Sequence, residues 1–445
     1  MPHRLVTTAA LACGVLLGAA FAPSRAGAEA LLLVEADTGK VLHASNATQP
    51  WYPASVSKLM TAYVTLRAVK EGRIALDTLV AVSENALAQQ PSKMGFPVGT
   101  RMTVDNALKM MLVKSANDMA VVLAEGVAGS VEAFSSEMNK ASVRLGMTQS
   151  NWVNPNGLPD EMQVTSARDM AILARALIRE MPEYDHYWHI SAIKFGRRVM
   201  RNYNKLIDRY PGADGMKTGF ICASGYNLVA SATRNGKRLI AVVLGASSGK
   251  ERTEVAAGML ERGFNGGALA WLTPSLGTVE SLKTIAAEPP NLREEICGRN
   301  RKARTDHAEE EENQPQANSD GDSASAFASV LPGAQAIDRA SLIGPLQPSE
   351  PPTVVNVIAP PGAPADPDRL VAGPKKKKLA VGKGRNGRKT AVINVSKPAA
   401  GEKKTSAASA KQKPAAHKPA PKQAAHPAKP AAPAPKQAAH APKPA

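Results

Sequence analysis

Apolar positions along this chain follow two patterns that occupy different stretches. Short apolar runs bounded by turn residues lie near the start and again near residue 240. Residues 31–36 and 40–44 flank Asp37-Thr38-Gly39, which predicts a hairpin. Residues 225–233 and 238–245, joined through Asn235-Gly236, predict a second one. Between them the apolar spacing changes to threes and fours. Leu59, Met60, Ala62, Val64 and Leu66 predict a helix starting near Ser55. Residues 83–88 predict a short helix, and 104–123, 131–145 and 165–179 longer ones, the last capped by Thr165 or Ser166. Residues 91–99 and 154–159 read as loops. A final helix is predicted over 251–262. Strands at both ends with helices between them predict an α/β body. Its antiparallel sheet is built from both chain ends and flanked by helices, with a mostly helical insertion.

The two ends of the chain read differently. His3 and Arg4 precede an apolar run over 5–22, and Ala26-Gly27-Ala28 offers small residues for cleavage. This predicts an export signal over 1–28, with an uncleaved membrane helix as the alternative. No later stretch approaches the ~20 apolar residues needed to span a bilayer, so no transmembrane helix is expected after processing. The body is expected over 29–266, followed by a poorly defined extension over 267–300. Residues 301–445 become acidic, then Ser/Ala/Pro-rich, then Lys/Ala/Pro-rich. Ala420-Pro-Lys-Gln-Ala-Ala-His426 recurs at 434–440. Such composition cannot bury enough apolar surface to offset chain entropy, which predicts a disordered tail.

Charge sharpens this division. The chain has 445 residues, with 55 basic and 38 acidic side chains, for a net +17. Residues 371–445 hold 18 of the basic side chains and only Glu402 of the acidic ones, which leaves 37 of each sign elsewhere. The basic character belongs to the tail. The tail has no aromatic residue on which a base could stack, and the export signal argues against a nucleic-acid partner. Anionic envelope polymers are the expected partner, with a plain soluble spacer as the alternative. Of the three cysteines, Cys13 lies in the leader, and Cys222 and Cys297 either pair or stay free. No metal-ligand spacing occurs, so neither a metal nor another cofactor is expected.

The candidate chemistry begins in Pro53-Ala-Ser-Val-Ser-Lys-Leu-Met-Thr61. On a helix, Ser55 and Lys58 share a face one turn apart. A serine hydroxyl needs a neighbouring base, and a lysine held neutral by burial and nearby positive charge supplies one. Ser115-Ala116-Asn117 and Lys217-Thr218-Gly219 follow in order, the latter placed just before the predicted strand pair. Ordered Ser-x-x-Lys, Ser-x-Asn and Lys-Thr-Gly are closely related to triplets of penicillin-binding proteins and β-lactamases.

The match is wider than three motifs. Lys114-Ser-Ala-Asn-Asp118, Asn154-Pro-Asn-Gly-Leu-Pro159, Asp214-Gly-Met-Lys-Thr-Gly-Phe220 and Ser224-Gly-Tyr-Asn-Leu-Val-Ala-Ser231 also resemble family segments. Over about residues 30–265 the chain resembles the low-molecular-mass penicillin-binding proteins, the D-alanyl-D-alanine carboxypeptidases of serine peptidase family S11. The resemblance implies the serine β-lactamase/penicillin-binding-protein fold and a peptidoglycan pentapeptide substrate, with β-lactams as covalent inhibitors. It implies Ser55 as nucleophile, Lys58 as general base, Ser115 and Lys217 as a proton path, and Asn117 as a positioning amide. Backbone N–H groups of Ser55 and Phe220 are the expected oxyanion donors. Thr218, Gly219 and Arg252 complete the expected substrate site, although Arg252 also reads as a surface arginine at a helix start. Asp169 either supports the site through a salt bridge or is an ordinary helix acid. Some relatives carry His where this chain has Phe220.

Three rival activities remain at this stage. A DD-endopeptidase cutting crosslinks would use the same residues. A β-lactamase lacks an assignable acidic loop. Gly245-Ala-Ser-Ser-Gly249 is a literal G-x-S-x-G between a strand and a helix. That nucleophile, Ser247, would need a downstream histidine, and His307, His417, His426 and His440 all lie in the predicted disordered region. The expected location is the periplasm or cell envelope.

Overall fold

The computed structural model describes residues 29–266, 275–298, 338–347, 350–364 and 366–371. The predicted export signal and the basic tail beyond residue 371 lie outside the described residues.

The chain opens with β1 (Ala30–Glu35) and β2 (Val41–Ser45), then a 3-10 turn, Ala54–Ser57, that runs directly into α1 (Lys58–Lys70). The insertion follows: β3 (Leu79–Ala81), α2 (Glu84–Ala88), β4 (Arg101–Thr103), α3 (Val104–Val113), α4 (Asn117–Ala128), α5 (Val131–Leu145), α6 (Ala167–Glu180) and α7 (His186–His189). Next come β5 (Ala192–Phe195), β6 (Arg198–Arg201), β7 (Ala213–Ile221), β8 (Gly225–Arg234), β9 (Lys237–Ala246) and α8 (Gly249–Asn265). Beyond them lie α9 (Arg293–Cys297), β10 (Thr353–Val354) and a last helical turn, Pro367–Leu370.

The main sheet has the order β2-β1-β9-β8-β7, antiparallel throughout. Both chain ends therefore build it, as the apolar pattern predicts. The β8–β9 turn places Asn235 and Gly236 at φ 50° and 75°, the pair of left-handed residues that a two-residue hairpin turn requires. Residues 239–246 of β9 are buried without interruption, because α6 and α8 both pack on this strand. Short side chains cap the helices. Ser83, Thr103, Ser130, Ser166 and Ser248 each accept a backbone N–H three residues on, which satisfies one of the orphan donors at a helix start. The cap of α6 is thus Ser166.

The structure corrects four readings. The apolar run over 104–123 is two helices, because Ser115 takes φ 57° between α3 and α4. Periodicity continues across such a corner and cannot show it. Lys217-Thr218-Gly219 lies inside β7 rather than before the strands; β7 is buried from Gly215 to Ile221, so no alternation marks it. The extension over 267–300 is partly regular: residues 275–298 include a 3-10 turn and α9, and Cys297 is bonded to Cys222 at a Cα separation of 5.7 Å. The disordered region predicted over 301–445 contains residues 338–347, 350–364 and 366–371, which pack on the body. Val355 and Leu370 are buried and β10 pairs with β5. A two-residue strand and one helical turn carry too few positions to give a periodic signal.

The disulfide closes a separation of 75 residues between the end of β7 and α9. Replacing Cys297 by Ser is expected to cost on the order of 2–5 kcal/mol of stability, mainly by releasing chain entropy in the unfolded state. Chemical denaturation of the oxidised wild type and the variant measures it; identical midpoints would show that the bond contributes nothing. Among the described residues no single helix is long and apolar enough to cross a membrane.

Candidate active site

Four segments meet at Ser55, and each is shaped for close approach. The first is the turn that carries it. Ala54 holds φ 49°, a left-handed conformation that costs an L-residue roughly 1–2 kcal/mol. Strain of this kind collects at functional sites. The turn passes into α1, so Ser55 and Lys58 do share one face. Lys58 Nζ lies 2.8 Å from Ser55 Oγ. It also donates to Asn117 Oδ1 at 2.8 Å and to the Asn156 carbonyl at 2.6 Å. Ser55 is half-buried while Lys58 is fully buried. Desolvation disfavours an ammonium, and the neutral amine is the form that can accept a proton.

The second segment is the α3–α4 corner. Ser115, with its left-handed backbone, turns its hydroxyl to Lys217 Nζ at 2.9 Å. Asn117 opens α4. Its Nδ2 donates to the carbonyls of Gln90 and Pro91 at 2.9 and 3.2 Å, and its backbone N–H donates to Ser92 O at 2.7 Å. Both faces of its amide are therefore engaged within the protein: Oδ1 holds Lys58 and Nδ2 holds the loop. Asn117 thus orients the lysine, a role more specific than the positioning amide expected from sequence. Asp118 beside it accepts from Met94 and Gly95 N–H at 3.1 and 2.8 Å. Burial pushes its carboxyl above the ordinary value, against those backbone donors and that of Met119.

The third segment is β7, the edge of the main sheet. Lys217 is buried and bonds Ser115 Oγ and its own neighbour's carbonyl, Thr218 O, both at 2.9 Å. A Cβ on Gly219 would lie 2.8 Å from Ser55 N and 2.9 Å from Val56 N. The absent side chain is what lets the strand backbone lie beside Ser55. Thr218 Oγ1 is buried and has no hydrogen-bond partner among the described residues. Such a group carries a desolvation cost that a polar ligand would relieve. Arg252, near the start of α8, is buried rather than on the surface. Its Nη1 reaches the carbonyls of Gly219 and Asn227 at 3.4 Å each, and its guanidinium stands 5.5 Å from the Tyr226 ring. Phe220 stacks on the same ring at 4.2 Å.

The fourth segment, residues 154–159, brings the Asn156 carbonyl to Lys58. Gly157, at φ 81°, abuts Ala54 so closely that a Cβ would sit 1.9 Å from Ala54 O. Buried Gln163 braces this loop by accepting from Val153 and Asn154 N–H and donating to Ser57 Oγ. The sequence motifs include Asn156, within the 154–159 segment, without giving it a role, and they miss Gln163 and the Gln90–Ser92 carbonyls. Main-chain acceptors leave no side-chain signature.

Two other candidates fall away from the site. Asp169 is neither a surface acid nor a ligand of the site residues. It is buried, paired with Arg168 at 2.7 Å, and accepts from Gln149 N–H and Ser150 Oγ. Burial raises its pKa against those partners. Its link to the site is indirect, since Ser150 is bonded to Thr165, whose backbone pairs with Trp51. Ser247 donates through Oγ to Glu251 in a short contact and through its N–H at 2.9 Å. An acidic helix-capping partner is the wrong neighbour for a nucleophile elbow, and all four downstream histidines lie outside the described residues. No group of three His, Cys, Asp or Glu suited to a metal ion occurs among the described residues.

A serine and a lysine in direct contact, joined by a second serine–lysine pair and an edge strand, define a site for acyl transfer. The family model for D-alanyl-D-alanine carboxypeptidase, Peptidase S11, matches residues 19–248, and the chain belongs to that family. It is 38% identical over 244 residues to the D-alanyl-D-alanine carboxypeptidase DacF of Bacillus subtilis, covering 54% of this chain and 62% of that protein. It is 38% identical over 247 residues to DacA of Haemophilus influenzae, covering 54% and 63%. The matches thus span less than two thirds of the length of these curated relatives. Among solved structures, DacD from Francisella tularensis superposes with a TM-score of 0.52 at 30% identity, covering 53% of this chain and 70% of that one. Penicillin binding protein 5 from Haemophilus influenzae gives 0.51 at 37% identity, with the same coverages. The fold is that of the penicillin-binding proteins, as the motif order implies.

Proposed function

We propose that this chain is a serine D-Ala-D-Ala carboxypeptidase acting on peptidoglycan stem peptides and acylated by β-lactams. The observation that carries the reading is the 2.8 Å contact between Ser55 Oγ and the buried Lys58 Nζ, set against β7. Ser55 Oγ attacks the carbonyl carbon of the penultimate D-Ala as Lys58 takes the hydroxyl proton. The carbonyl oxygen gains negative charge, and the backbone N–H groups of Ser55 and Phe220 are the donors proposed to stabilise it. The amide bond then breaks. The departing D-Ala amine takes a proton by way of Ser115 and Lys217, and the stem peptide remains as an ester on Ser55. Water cleaves that ester and returns the serine.

The substrate ends in a carboxylate, which the buried Thr218 hydroxyl and Arg252 are proposed to receive. Replacing Thr218 by Val keeps the shape and removes the hydroxyl. It is expected to raise KM for a pentapeptide roughly tenfold, the weight of one hydrogen bond to a charged group, with a smaller change in kcat. Steady-state kinetics measure the split, and an unchanged KM would remove Thr218 from the carboxylate site.

The test of the whole reading is incubation with a muropeptide ending in D-Ala-D-Ala and, separately, with a crosslinked dimer. Free D-Ala from the first is the expected result. Cleavage of the dimer alone would assign the chain as a DD-endopeptidase instead. Export to the periplasm or cell envelope is part of the proposal, since that is where such a substrate lies, and the apolar leader supports it. The basic tail, by its composition, is proposed to meet anionic polymers there.

A further inference from the structure

The described parts of residues 353–371 return to the insertion and end where one active-site wall is held. β10 lies parallel to β5, with Thr353 opposite Ile193 and Val354 opposite Lys194, and Val355 N–H donates to Lys194 O at 3.0 Å. Ile358 and Arg101 exchange both backbone hydrogen bonds, at 2.7 and 2.9 Å. The turn Pro367–Leu370, capped by Asp366, then sits on the β5–β6 corner. Asp368 accepts from the backbone N–H of Arg197 at 3.1 Å and from its Nε at 2.5 Å. Arg198 reaches the carbonyls of Asp368 and Val371 at 3.4 and 3.3 Å. Leu370 is buried in the core cluster, and the Val371 side chain approaches Gly95. At this junction Phe96 of the 89–99 loop meets Phe195 of β5 edge-on, with ring centroids 5.1 Å apart.

The loop so pinned is the one that holds the catalytic lysine's partner. Its Gln90, Pro91 and Ser92 carbonyls take the three N–H groups of Asn117, and its Met94 and Gly95 N–H groups bind Asp118. Gln89 at its start accepts from Asn156, whose carbonyl also binds Lys58. Val371, next to buried Leu370, lies 4.0 Å from where a Cβ on Gly95 would stand, and from this loop hydrogen bonds run through Asn117 to Lys58.

We propose that residues 353–364 and 366–371 are a brace for the active site: by fixing the 89–99 loop against the β5–β6 hairpin, Asp368 and Leu370 act as positioning residues for Asn117 and, through it, Lys58. The catalytic unit then extends well beyond residue 266. The kinetic part of this inference rests on the carboxypeptidase reading, while the structural part does not.

The test uses the full chain carrying Leu370→Ala, Asp368→Arg, or Asp368→Arg with Arg197→Asp. Hydrogen exchange of peptides covering 90–98 reports the loop without any activity. The rate of acylation by a fluorescent penicillin, resolved into binding and chemical steps, reports Lys58. Both single variants are expected to raise exchange in 90–98 by roughly tenfold or more. They are expected to slow the acylation step, not binding, by roughly tenfold to a hundredfold, the scale set by a small displacement of a catalytic group. The charge-swapped double variant is expected to restore both readings toward wild type. Unchanged exchange in both single variants would overturn the brace. Raised exchange with an unchanged acylation step would overturn its link to Asn117. A wild-type chain that is never acylated would overturn the carboxypeptidase reading instead, and the exchange data would still decide the brace.

Discussion

A chain carrying Ser55→Ala is expected to show no covalent labelling by penicillin and to release D-Ala at least roughly ten-thousandfold more slowly, because removing a nucleophile removes the acyl-enzyme route itself. The loss should fall on kcat with little change in KM, since the residues proposed to bind substrate, Thr218, Arg252 and the β7 edge, are unchanged. Folding should be nearly unaffected: Ser55 is half-buried, and the hydroxyl gives up one neighbour, Lys58 Nζ at 2.8 Å, which keeps Asn117 Oδ1 and the Asn156 carbonyl. The matched control is Ser247→Ala. Its hydroxyl bonds Glu251 at the start of α8, so labelling should persist at the wild-type rate. The opposite pattern, with labelling lost in Ser247→Ala and kept in Ser55→Ala, would move the nucleophile to the G-x-S-x-G loop. Intact-mass measurement after incubation with a β-lactam reads both variants directly.

The reasons some parts were legible in the sequence are physical. Ser55 and Lys58 could be paired from spacing alone because three residues on a helix fix their geometry. The same is true of the β8–β9 hairpin, where Asn235-Gly236 names its own turn. Spacing orders Lys217 and Ser115 along the chain, and only the family resemblance brings them together as a proton path. Their 2.9 Å contact depends on β7 being the sheet edge, and a strand buried along its length shows no alternation. Asn117 illustrates a finer limit. Its residue type suggested an amide for substrate, but the backbone carbonyls of Gln90 and Pro91 claim its Nδ2. Backbone acceptors have no letter in a sequence. Arg252 and Asp169 read alike as charged residues near helix starts. One is buried beside β7, and the other is buried beside Arg168, away from Ser55. Tertiary packing decides such cases, and local pattern does not.

Gly219 gives the second large effect, and it is purely steric. Its φ lies outside the left-handed region, so no backbone preference demands glycine. What demands it is the backbone of the Ser55 turn. An alanine Cβ would meet Ser55 N at 2.8 Å, Val56 N at 2.9 Å and Pro53 O at 3.1 Å. All three are main-chain atoms on a turn already strained at Ala54, so neither side can give cheaply. β7 must withdraw by a few tenths of an ångström, and with it the Phe220 N–H proposed above as an oxyanion donor. Gly219→Ala is therefore expected to slow penicillin acylation by roughly a hundredfold to a thousandfold, the cost of one misplaced oxyanion donor. Overpacking should also lower stability by about 1–3 kcal/mol. Gly236→Ala separates the two effects. Its Cβ meets nothing within 4 Å, but its φ of 75° strains the β8–β9 turn. That variant should lose stability by about 1 kcal/mol and acylate at the wild-type rate. If Gly219→Ala also acylates at the wild-type rate while folded, β7 does not supply the oxyanion donor, and the donors must be sought within the Ser55 turn itself.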